Sequence, residues 1–116
     1  MVKSINLETE YKVEDEEQVS LSIVIGDAQI GSSIVFLDDN ELGRREIENL
    51  NIGLGKDIKG QKIIIKSIVK DINDMTNYTS ITYILKGGIF DQTFYSKGVV
   101  DENGDSIIYR ATFFII

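Results

Sequence analysis

The chain has 116 residues, 42% hydrophobic and 27% charged, enough to bury one core and too apolar for disorder. Its 19 acidic and 12 basic residues leave a net charge of −7, a field that repels phosphate backbones and anionic headgroups, so neither nucleic acid nor a membrane surface is an expected partner. With no His and no Cys, the commonest general base, thiol nucleophiles, disulfides and thiolate metal sites are all absent.

The N-terminal Met1-Val2-Lys3-Ser4-Ile5-Asn6 has no apolar run of the kind that forms a signal-peptide core, and no later stretch reaches membrane-spanning length. A cytoplasmic location is the simplest expectation, with a removed leader left open.

Residues 4–13 alternate cleanly, with Ile5, Leu7, Thr9, Tyr11 and Val13 on one parity and polar residues on the other, as a strand with one buried face requires. Glu14-Asp15-Glu16-Glu17 interrupts the pattern, and Val19, Leu21, Ile23 and Ile25 resume it up to the turn at Gly26-Asp27. The two segments are expected to pair as a hairpin with a charged tip. Ile30–Leu37, with Ile34, Val35, Phe36 and Leu37 in succession, predicts a more central strand buried on both faces.

From Asp38 to Gln61 four glycines loosen the pattern, and residues 44–50, which hold the only adjacent basic pair, Arg44-Arg45, read as strand or irregular chain. Gly55 to Lys62 has the glycine spacing of a phosphate-binding loop. Gln61 and Lys62, however, stand where that motif needs Lys and then Ser or Thr, so a turn is expected.

Residues 62–72 are rich in β-branched side chains, with Lys66 and Lys70 on one parity. After the turn at 73–77, Ile81, Tyr83 and Leu85 mark the inward face of a strand that is expected to pair with 62–72 as a hairpin. A strand over 90–97 follows, then a turn containing Asn103-Gly104, then a last strand over 106–116. In that last strand Ile107, Tyr109, Ala111, Phe113 and Ile115 face the core, and Phe114 and Ile116 sit on the other face, either covered within the fold or packed on another subunit. Four of the five tyrosines, Tyr11, Tyr83, Tyr95 and Tyr109, are expected at inward parity, and Tyr78 in a turn.

Seven to eight strands at this spacing, with no amphipathic helix between them, predict a single all-β domain over residues 1–116. The expected architecture is an antiparallel sandwich, immunoglobulin-like or C2-like in outline, with a small β-barrel as the alternative.

No catalytic residue stands out, and the function expected is a non-catalytic protein–protein interaction or structural module. It would serve as an accessory subunit of an assembly, as a homo-oligomer, or as an acidic partner neutralising a basic protein. Arg44, Arg45, Phe114 and Ile116 are the candidate partner-binding residues. The alternative is a calcium-dependent binding domain, because Asp71, Asn73 and Asp74 in one loop and Asp101 and Asp105 in another supply the hard oxygens that calcium prefers, with Asp38 a further candidate. A hydrolase using two carboxylates in a cleft is the third reading.

Overall fold

Alternation becomes structure strand by strand in a computed structural model that describes residues 3–116, with Met1 and Val2 outside them. The elements are β1 (Lys3–Tyr11), β2 (Gln18–Ile25), β3 (Ile30–Leu37), β4 (Asn40–Arg45), β5 (Leu50–Leu54), a single helical turn α1 (Gly55–Ile58), β6 (Lys62–Lys70), β7 (Tyr78–Lys86), β8 (Gln92–Val99) and β9 (Ser106–Ile115). They form two packed sheets, one of five strands ordered β1-β9-β6-β3-β4 and one of four ordered β5-β2-β7-β8. Each sheet ends in two edge strands, so this is a sandwich and no barrel closes.

Inward parities pack between the sheets. Ile63, Ile65 and Val69 of β6, Ile81, Tyr83 and Leu85 of β7, and Ile107, Tyr109, Ala111, Phe113 and Ile115 of β9 are all buried, as their alternation predicts. Phe113 is the centre of the aromatic packing, with ring centroids 4.9 Å from Phe94 and 5.7 Å from Tyr83, the latter edge-on as the ring quadrupoles favour.

Connectivity departs from expectation. Only β3–β4 and β7–β8 are hairpins, and every other connection crosses between the sheets. β1 therefore does not pair with β2. It lies parallel to β9, from Lys3 opposite Ile107 to Tyr11 opposite Ile115, the one parallel pair among the described residues. β6 and β7 likewise sit in different sheets rather than in one hairpin. The count is nine because the loosened region resolves into two short strands, β4 and β5, on opposite sheets.

β3 is buried on one face only, with Ser33, Val35 and Leu37 inside and Ile34 and Phe36 half-buried on the outer surface, since nothing covers that side of the sheet. Tyr95 points outward and is 59% exposed, unlike Tyr11, Tyr83 and Tyr109.

Glu14 to Glu17 form the crossing from β1 to β2, not a hairpin tip. The Gly55 amide donates to the Glu17 carbonyl and the Lys56 amide to the Asp15 carbonyl. A Cβ at Gly55 would lie 1.8 Å from the Glu14 carbonyl oxygen, so only glycine permits this docking.

One end of the sandwich is closed by a polar latch. The buried Gln29 donates from Nε2 to Asp71 Oδ1 at 2.7 Å and to the Tyr78 carbonyl at 3.0 Å, and its Oε1 accepts the amides of Ile72 and Asn73. The Asp71 amide donates to the Asp105 carbonyl, and the Gly104 amide donates to the Asp71 carbonyl. Three crossovers, β2–β3, β6–β7 and β8–β9, are thus tied at a single residue, Asp71, through its carboxylate and its backbone.

Gln29→Ala would orphan the Asp71 carboxylate and two backbone amides, and should lower the unfolding free energy in urea by at least about 1–3 kcal/mol. A loss within the roughly 0.5 kcal/mol typical of surface changes would show that the latch carries no load.

Burial pushes the Tyr83 hydroxyl far above its ordinary range, with the neighbouring Tyr109 adding to the effect, and burial also raises Tyr109 and Tyr11. Their protonated forms stabilise the fold fully below the unfolded value of about 10, and that contribution is lost as pH rises above it, where unfolded tyrosines ionise first. The melting midpoint should therefore fall above pH ~10, and Tyr83→Phe should make the fall shallower. An identical pH profile for the variant would refute this assignment.

Candidate interaction surface

The same register that packs the core presents the opposite parity of the five-stranded sheet to solvent. Across its middle runs one row, Asn6–Arg110–Lys66–Ile34–Arg44, one residue from each strand in the order β1-β9-β6-β3-β4. An apolar pair, Ile108 and Ile68, lies on one side of that row, and Ile64 and Phe36 lie on the other. Ile68 is 48% exposed, Ile30 52% and Phe114 41%, while Ile34, Phe36, Ile64 and Ile108 are half-buried. β9 is therefore an interior strand covered on one face only, and Phe114 belongs to an open surface.

Charge on this face is unusual for an acidic chain. Lys62, Lys66 and Lys70 of β6, Arg110 of β9 and Arg44 of β4 all project from it, five of the 12 basic side chains. Lys66 and Arg110 stand directly opposite each other on neighbouring strands. Two like charges in that position repel, and an opposite charge would be favoured there.

The salt bridges among the described residues are Lys3–Asp101, Arg44–Glu41, Lys56–Glu16 and Lys59–Asp15, so the Lys66–Arg110 pair has no carboxylate partner. Arg44 is different: its guanidinium binds Glu41 from two nitrogens and holds that carboxyl below the usual range. Acidic side chains on this face, Glu8 and Glu10 on β1 and Glu41 on β4, are confined to its two edges.

The acidic loops occupy one end of the sandwich, where hydrogen bonds within and between the turns engage them. Asn73 donates to the Asp27 carbonyl and accepts the Met75 amide, Asp74 Oδ1 accepts from Asn103, and Asp105 Oδ2 accepts the Glu102 amide. Asp101 pairs with Lys3, and Asp71 is buried with Oδ1 on Gln29 and Oδ2 without a partner. Asp38, whose Oδ1 accepts the Lys62 amide, lies at the other end of β3, away from both loops. Among the described residues no group of three or more carboxylates is arranged to hold a metal ion.

Arg45 is separated from Arg44 by the alternation of the chain and lines a groove of about 730 Å³ between the sheets, with Glu46, Glu48, Ile23, Ile25 and Gly31. Ile116 lies just beyond β9, its amide bonded to the Tyr11 carbonyl. Of the four residues singled out for partner binding, Arg44 and Phe114 thus share one face, Ile116 follows two residues beyond Phe114 and is likewise exposed, and Arg45 lies apart in the groove. Lys66 and Arg110, the centre of the face, carried only a weak signal in the sequence, the repeat of lysines on the polar parity of β6.

Lys66→Glu converts the like-charge pair into an ion pair with Arg110 and should raise the unfolding free energy by about 0.2–1 kcal/mol. Chemical denaturation checks it, and destabilisation by the same amount would mean that the two cations are not in conflict. No protein-family model, curated protein or solved structure matches the chain, and its function is therefore read from its surface chemistry.

Proposed function

We propose that this protein is a non-catalytic protein–protein interaction module, an accessory subunit that docks through the outer face of its five-stranded sheet. The observation that supports this reading is the uncovered apolar surface formed by Ile34, Phe36, Ile64, Ile68, Ile108 and Phe114 on a sheet whose central strands bury their opposite face in the core. Contiguous exposed apolar groups interleaved with Arg and Lys fit the composition of docking surfaces, where aromatic side chains and Arg are enriched.

The cation row also bears on the type of partner. Two copies meeting symmetrically through this face would set Lys66 and Arg110 against an equally cationic surface, so the reading favours a different protein over a homodimer formed here.

Ile68→Glu places a charge in the apolar surface without touching the core and should leave the melting midpoint within a few degrees of the parent. In extracts of the native host, size exclusion with light scattering should find the parent protein in a larger complex and the variant as a monomer. A parent protein that runs as a strict monomer in those extracts counts directly against the module reading.

A further inference from the structure

We infer that the partner of this face is an acidic polypeptide whose carboxylates lie over the Lys66–Arg110 row and whose apolar side chains flank them on both sides. The inference rests on the interaction reading above and adds the chemistry of the partner. Neighbouring strands are about 4.8 Å apart, so Lys66 and Arg110 project side by side, and carboxylates placed over them would answer two cations that have no acidic partner of their own. Ile108 and Ile68 on one side and Ile64 and Phe36 on the other offer apolar contact to either side of those carboxylates.

A polyphosphate matches the cations and leaves the apolar rows unmatched. The net charge of −7 and the carboxylates of Glu8, Glu10 and Glu41 at the borders of the face oppose any anion alike, so the apolar rows are what distinguish the partner. An acidic polypeptide with interleaved apolar groups satisfies both parts of the surface, with its carboxylates complementing the local potential of Lys66 and Arg110.

The test uses the full chain and a short synthetic peptide in which pairs of glutamates alternate with pairs of valines, so that both kinds of side chain fall on one face of an extended chain, with three comparison probes: a peptide of lysine pairs alternating with valine pairs, oligothymidylate, and phosphatidylserine–phosphatidylcholine vesicles. The glutamate–valine peptide should shift the amide resonances of β6 and β9 around Lys66 and Arg110. Its affinity should fall with added salt, as the screening length contracts from about 10 Å at 0.1 M to about 3 Å at 1 M.

The double variant Lys66→Glu with Arg110→Glu should bind that peptide at least tenfold more weakly and should bind the lysine–valine peptide instead. Lys66→Glu alone, which forms an internal ion pair, should also weaken binding while melting no lower than the parent, which separates lost recognition from lost folding. Equal binding of the glutamate–valine peptide by parent and double variant, no binding at millimolar peptide, or tighter binding of oligothymidylate or vesicles through the same residues overturns the inference.

The two readings fail differently. If Ile68→Glu dissolves the native complex and the double variant keeps it, the docking face stands and the acidic partner falls. If both variants keep it, both fall.

Discussion

The register of β6 against β9 governs both faces of the five-stranded sheet at once. Ile63 opposite Phe113 and Ile65 opposite Ala111 build the core, and the same pairing sets Lys66 opposite Arg110 on the outside. Side chains alternate with a period of two, so a slip by one residue would bury Lys62, Lys66 and Lys70 and expose Ile63, Ile65 and Val69. The cost of burying those charges locks the register. The surface row of cations is thus held in place by the same constraint that holds the core, although the cations themselves repel.

That coupling explains which parts of the molecule were legible in the sequence. Parity along a strand reports which side faces the core, and it identified the inward residues of β7 and β9 correctly. Parity is silent about which sheet a strand joins. Residues 4–13 and 19–25 read naturally as a hairpin, yet Glu14 to Glu17 carry the chain across to the opposite sheet, tied there by amides of Gly55 and Lys56. The run Ile34-Val35-Phe36-Leu37 looked doubly buried because hydrophobicity was taken as cover, whereas Ile34 and Phe36 form part of an open face. Tyr95 was misplaced for the same reason, since an aromatic ring on an edge strand gains area from either side.

The candidate surface was half legible. Arg44 and Phe114 were visible as an exposed cation and an outward aromatic, and they do share a face. Its centre, Lys66 with Arg110, depends on a pairing between distant segments that no local pattern encodes. The acidic loops were the more conspicuous signal, and the structure uses much of their oxygen inventory to cap turns and close one end of the sandwich through Asp71 and Gln29. Asp and Asn suit such turns through bonds to nearby backbone, a role that composition does not distinguish from that of a ligand.

The parallel pairing of β1 with β9 has a consequence for how the protein forms. The strand over Lys3–Tyr11 finds its only sheet partner in the strand over Ser106–Ile115, so the largest loop in the chain must close before β1 has anywhere to add. Contacts of such long sequence separation slow folding. During synthesis β1 leaves the ribosome before β9 and waits with an apolar parity exposed until β9 has followed, a window in which it is open to misassociation. Its polar parity, Ser4, Asn6, Glu8 and Glu10, keeps one side of the waiting segment hydrophilic, and the two glutamates that later border the docking face serve as its gatekeepers during that interval.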